Sequence, residues 1–222
     1  MQRRVFLAGI GLVGGLTLAG CASTPQQQEQ NEQSLVDAAT HTVGVMKADS
    51  GAKGASLLTK AKAVMIFPDL IKGGVAVGGT RGQGVMLVRG PTTWSYPAFY
   101  ETSSISLGLQ IGAEESSVVM FVMSQRALDS LMKTSNFSFK AGGGLSIIDM
   151  NAAAQEQLTG ADVVTWSKSK GAYGGLTMSG SDVSQRLDRD NTYYGKAVNA
   201  EQIAQGAVSN KQADALRAAL GG

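Results

Sequence analysis

The spacing of apolar positions changes along this chain, and each change marks an element. Leu35, Ala39, Val43 and Met46 recur at steps of four, four and three, which predicts an amphipathic helix with Ser34 as its N-cap. A second short helix is predicted from Ala55 to Lys62, and Pro68 must lie outside any helix interior. From Ala63 the period shortens to that of strands. Ala63–Phe67 is a short apolar run, and Val75 with Val77, then Val85 with Leu87, read as two strand segments joined by a hairpin connection at Gly78–Gly82. Ile105, Leu107, Leu109 and Ile111 alternate with small or polar residues, the pattern of a half-buried strand. Val118–Met123 is continuously apolar, which predicts a central strand covered on both faces, and Ser124 then opens a helix to about Met132.

Phe137 and Phe139 alternate with polar residues ahead of the Gly142–Gly144 triplet, and a short helix is expected within Asn151–Gln157. Val163–Ser169 and Tyr173–Ser179 look like a hairpin turning at Lys170-Gly171. Two helices, near Asn199–Gln205 and Lys211–Leu220, close the chain. The expected fold is α+β: a single domain with a glycine-rich, mostly antiparallel, strongly bent β-sheet and helices at both ends.

The first 33 residues follow a different pattern. Arg3 and Arg4 precede an apolar stretch from Phe6 to Gly20, and Leu18-Ala19-Gly20-Cys21 resembles a bacterial lipobox. The apolar stretch falls short of the roughly 20 residues that a spanning helix needs. The resemblance implies a signal peptide over 1–21, a diacylated Cys21 and, with Ala22 next and no aspartate there, an outer-membrane lipoprotein on the periplasmic face. Ala22–Gln33 is polar and glutamine-rich and reads as a flexible tether to a domain spanning 34–222.

Charge changes the picture once the leader is set aside. Of 19 Lys and Arg, Arg3 and Arg4 lie in the leader, and the remainder balance the 17 Asp and Glu. The pI near 8.7 is therefore no sign of nucleic-acid binding. Cys21 is the single cysteine, so disulfides and thiolate metal sites are excluded. His41 is the single histidine, and on a surface helix it reads as a solvated or partly packed imidazole. Glu114-Glu115 and Asp188-x-Asp190 are the carboxylate pairs; neither comes with a nucleophile and base, so no enzyme, metal or cofactor is expected. The 29 glycines cluster inside alternating segments, as bends and close approaches in a sheet require.

Several motifs, taken in order, resemble the SYLF domain family. They are Lys62-Ala-Val-Met-Ile-Phe-Pro68, Lys72-Gly73, Gly78-Gly79-x-x-Gly82-x-Gly84, Trp94-Ser95-x-Pro97 and Gly108-x-Gln110-x-Gly112. Ser167-Lys168-Ser169-Lys170-Gly171, Gly175-x-x-x-x-Gly180 and Asn191-x-x-Tyr194-Gly195 complete the set. A Gly-Pro turn common in that family is replaced here by Gly144-Leu-Ser-Ile-Ile-Asp149. The resemblance implies a non-catalytic module that binds phosphoinositides and other anionic phospholipids, together with an actin-related role in eukaryotic members that has no place in a periplasm.

The residues themselves are compatible with a head-group site. Lys47, Lys53, Lys60, Lys62, Lys72, Arg81 and Arg89 face only Asp49 and Asp69 within the same stretch. Each such cation contributes about 1 kcal/mol near an anionic surface. Lys168 and Lys170 beside Gly171 suggest a second anion site at a turn, although surface lysines flanking a positive-φ glycine fit the same sequence. The candidate head-group residues are Lys60, Lys62, Lys72, Arg81, Lys168 and Lys170. The alternative is an envelope lipoprotein whose glycine-rich sheet docks a protein partner.

Overall fold

The computed structural model describes residues 24–75, 77–107, 112–139, 144–158, 160–170 and 182–221. Cys21, the glycine triplet up to Gly143 and the Tyr173–Ser179 arm lie outside the described residues.

At its centre is a curled half-barrel sheet, eight-stranded among the described residues, with helices on both faces. The strands are β1 (Ala63–Val75), β2 (Val77–Val88), β3 (Ala98–Leu107), β4 (Gly112–Val122), β5 (Asn136–Ser138), β6 (Ile147–Asp149), β7 (Val163–Lys170) and β8 (Asp182–Gln185). Their order is β5-β8-β3-β2-β1-β4-β7-β6, antiparallel except for the β6–β7 pair. The helices are α1 (Pro25–Lys60), α2 (Gln125–Lys133), α3 (Gln155–Leu158), α4 (Leu187–Tyr194), α5 (Ala200–Ala204) and α6 (Asp214–Ala219).

Strand alternation sorts the core into two layers. Val64, Ile66, Val85, Leu87, Val119, Phe121 and Trp166 face α1, α4 and α6. Ala63, Met65, Phe67, Met86, Tyr100 and Val118 face α2 and α5. Val118–Val122 is buried on both sides, as its unbroken apolar run requires. Trp94 and Trp166 are both core residues.

The first helix departs from expectation. It begins at Pro25, within the segment read as a tether, and continues through the predicted second helix. Thr24 caps it: its hydroxyl accepts from the Gln27 amide while the Gln27 side chain accepts from the Thr24 amide. Ser34, the expected cap, is interior and donates to the Gln30 carbonyl. The polar run had no apolar stripe to betray a helix; buried polar contacts to α4 hold it instead. Gly51, at φ 53° and ψ −133°, kinks the helix where the sequence suggested a break. The buried stripe on α1 is Val36, Ala39, Val43 and Met46, so Leu35 sits beside it, only half-buried.

Two strand boundaries also differ. Val75 pairs with Val77 across the β1–β2 ribbon, so Gly78–Gly82 is not a connection but part of the first half of β2. Glycine is required there by close approach: a Cβ on Gly84 would stand 2.4 Å from the Ile66 carbonyl oxygen and 2.5 Å from the Phe67 ring. Opposite lies a β-bulge, where the register of β1 shifts between Ile66 and Asp69 against β2 and between Phe67 and Leu70 against β4. Pro68 occupies it, with no amide to donate, and its carbonyl accepts from the Ser117 hydroxyl at 2.7 Å. The extra residue resets the alternation. Leu70 joins Phe67 on the α2 side, and Ile71 turns to the α1 side with 62% of its surface exposed.

Candidate functional site

Beyond the bulge, one pleat row crosses the sheet under α1: Ser103 on β3, Arg81 on β2, Ile71 on β1, Glu115 on β4 and the Lys170 position on β7. The row below it holds Glu101, Gln83, Asp69 and Lys168. Arg81 and Lys170 are three strand spacings apart, about 14 Å. That separation is too wide to clamp one phosphate, but it suits separate head groups on a surface.

The other candidates fall elsewhere. Lys62 pairs its backbone with Val122 and Arg89, nine residues before Ile71 on β1, which places it about 30 Å from the row. Lys60, at the end of α1, lines a polar pocket of about 310 Å³ with Ser124 and Asp162. The six candidate cations therefore divide between the two ends of the sheet, and Lys62 and Lys170 do not converge. Lys72 is one residue beyond Ile71 on β1, next to Thr80 and Glu114. Lys168 and Lys170 are strand residues paired with β4, and Gly171, the expected turn beside them, lies outside the described residues.

Several cations are committed to structure. Lys53 donates to the carbonyls of Met150 and Ala153 at 2.7 and 2.9 Å. Arg89 donates to the carbonyls of Leu58 and Ala61 at the end of α1, and its guanidinium lies 4.1 Å from the Trp94 ring centre. Lys168 is ion-paired with Asp49 at 3.2 Å. Asp49 also accepts from the Trp166 indole at 2.9 Å, and these two donors, the indole first, lower its pKa.

Arg81 is placed differently. Its guanidinium is 74% exposed and only 3.5 Å from Glu101 Oε2, whereas Arg186 Nη1 holds the same oxygen at 2.6 Å. Glu101 is thus already served by Arg186, and Arg81 is the more loosely held partner.

A groove of about 740 Å³ lies between α1 and this row, lined by Leu35, Ile71, Gly79, Arg81, Gly82 and Gln83 among others. At Asp69 it adjoins a second pocket of about 320 Å³ that contains His41, Thr42, Val45 and Lys168. His41 is exposed, as a solvated imidazole would be. Asp188 and Asp190, one of the two carboxylate pairs of the sequence, lie in α4. Asp188 is held by Arg186, whereas Asp190 is fully buried and accepts from the Phe99 amide and the Gln185 side chain. Burial raises Asp190 to a pKa of about 7, against the lowering effect of those two donors. Among the described residues no cluster of three or more His, Cys, Asp or Glu is placed to hold a metal, and no helix is long and apolar enough to cross a membrane.

Sequence reasoning missed Ile71 and Leu35. The bulge at Pro68 inverts the alternation that would have buried Ile71, and on α1 Val36 takes the buried place expected for Leu35 while Ala39, Val43 and Met46 keep theirs. Proline within an apolar strand run was the available signal.

Comparison with known proteins gives a family model described as Ysc84, Las17-binding protein actin regulator, which matches residues 103–222. An SH3 domain-containing protein of Schizosaccharomyces pombe is 28% identical over 166 residues, covering 71% of this chain and 38% of its own. The SH3 domain-containing YSC84-like protein 1 of Bos taurus is 28% identical over 161 residues, covering 70% and 46%. LAS seventeen-binding protein 3 of Saccharomyces cerevisiae is 28% identical over 160 residues, covering 68% and 34%. The matched segment spans less than half the length of each of these relatives.

Proposed function

The chain belongs to the Ysc84 family, the SYLF family of the sequence motifs, and on that premise we propose that it is a non-catalytic module that docks on anionic phospholipid surfaces. The observation that carries this reading is the row in which the exposed Arg81 stands directly beside an exposed Ile71, with the Lys170 position further along it beyond Glu115. A guanidinium makes charge-assisted hydrogen bonds to phosphate, and the apolar side chain beside it enters the interfacial layer. Cys21 fits the same reading as a lipid anchor that holds the domain at an outer membrane facing the periplasm.

The test is co-sedimentation of the full-length chain carrying Cys21→Ser with neutral and anionic vesicles across a salt series. The substitution removes the acylation site, so that binding reports the folded domain. Binding that requires anionic lipid and weakens as salt shortens the Debye length is the expected result. Equal or absent binding to both vesicle types overturns it.

A second reading rests on the family description and on the name of the yeast relative, both of which specify Las17 binding. In that reading the same row docks a protein partner in the cell envelope, and cross-linking at position 81 would capture it without any lipid requirement.

A further inference from the structure

We propose that the groove between α1 and the sheet receives the acyl chain of a single anionic amphiphile, with its phosphate at Arg81. This deepens the membrane-docking reading and rests on it for the head-group chemistry. An exposed isoleucine alone needs no explanation. Here Ile71 shares a groove with Leu35 of α1 and with Gly79, which adds no side chain, while Asp69, Gln83 and Ser103 border this apolar strip. The volume of about 740 Å³ falls in the range of small-ligand sites.

Polarity is arranged for an amphiphile lying lengthwise. Leu35 of α1 and Ile71 of β1 supply the apolar lining, and the cation beside them is Arg81, whose side chain is 74% exposed. Glu101 keeps Arg186 at 2.6 Å when Arg81 turns to a ligand, so recruiting Arg81 strands no carboxylate. That spare guanidinium gives the charge complementarity for a phosphate head. Gly79, on the same face of β2 as Arg81, leaves space that a side chain there would take.

Calorimetric titration of the full-length Cys21→Ser chain with n-alkyl phosphates of increasing length, kept below micelle formation, tests the proposal. Inorganic phosphate is the head-group control. Affinity should rise roughly fourfold per added methylene and then level off once the chain outgrows the groove. Ile71→Ser and the groove-filling Gln83→Trp should each weaken dodecyl phosphate at least tenfold with an unchanged melting temperature, and Arg81→Ala should weaken every alkyl phosphate. Both Ile71 and Gln83 are exposed, so the fold tolerates these changes. If inorganic phosphate binds as tightly as dodecyl phosphate, the site is an anion site and the acyl inference falls while membrane docking stands. If Ile71→Ser and Gln83→Trp leave dodecyl phosphate binding intact, the chain lies elsewhere and the inference also falls. Alkyl-phosphate binding without vesicle binding would keep the groove and remove the surface-docking reading. No alkyl-phosphate binding overturns the groove, and the vesicle experiment then decides docking by itself.

Discussion

Glu32 of α1 and Arg189 of α4 meet at 2.6 Å in a buried ion pair, with side chains 6% and 10% exposed. The contact ties the glutamine-rich start of the chain to the far end of the domain. Tyr193 reinforces it by donating its hydroxyl to Gln33 at 3.0 Å. Breaking a buried pair from one side leaves the other charge uncompensated, at a cost of about 3–5 kcal/mol. Glu32→Ala and Arg189→Ala should each lower stability by about that much, while Glu32→Leu with Arg189→Met should cost much less. Denaturant midpoints of the three variants check this; equal losses in the single and double variants would contradict it.

Asp190 makes stability depend on pH. Burial raises its folded pKa to about 7, above its ordinary value of 3.8. The folded state therefore holds a proton that the unfolded chain has released, and stability falls as pH rises through that interval, by up to about 1.4 kcal/mol per unit. Burial also raises Glu32, which acts in the same direction. Asp49, Asp162 and Asp188 are lowered, so their contributions are lost only below about pH 4, outside this window. Denaturant midpoints between pH 4.5 and 7.5 should decline in the natural protein. Asp190→Asn should flatten the decline, and an unchanged slope would assign it to another group.

Two glycine substitutions should have opposite signs. At Gly84 an added methyl meets the Ile66 carbonyl at 2.4 Å, a backbone atom that cannot step aside, so Gly84→Ala should cost about 3 kcal/mol. At Gly44, inside α1, nothing lies within 4 Å, and Gly44→Ala should stabilise by about 0.5–1 kcal/mol through helix propensity. Thermal melts distinguish them directly.

Vesicle binding should separate the two ends of the sheet. Arg81→Glu with Lys170→Glu should weaken binding to anionic vesicles more than tenfold, since each reversal removes one attraction and adds one repulsion. Lys60→Glu with Lys62→Glu, about 30 Å away along β1, should change it less than threefold. Equal sensitivity at both ends would mean that the docking face is not the Arg81 row.

The sequence carried the fold class well because its strongest signals are local ones. The unbroken run Val118–Val122 announced a central strand, and Ser124 announced the start of α2, whose Ala127 amide it caps at 3.1 Å. What escaped depended on tertiary partners. Glu32 looked like a tether residue because its reason to be ordered, Arg189, lies at the other end of the chain. Asp190 resembled a surface carboxylate because nothing in the spacing Asp188-x-Asp190 foretells that one is exposed and the other enclosed. The row at Ile71 was hidden by a single inserted residue. A cluster of cations in sequence did not become a cluster in space, because β1 runs extended and carries Lys62 and Lys72 to opposite ends.

The strand order also bears on how the chain assembles. β1 and β2 lie in the middle of the sheet and are the first strands made; β3 and β4 add on either side, and the outermost strands come from the later half of the chain. A nascent chain can therefore zip its earliest ribbon by local pairing and offer β3 and β4 an edge already braced from behind, whereas β5 and β6 must wait for β8 and β7, made after them, to join the sheet. Among the described residues the sheet is bordered on both sides by strands of only three residues, β5 and β6. Such short borders give a neighbouring molecule little to pair with, which guards the finished sheet against self-association.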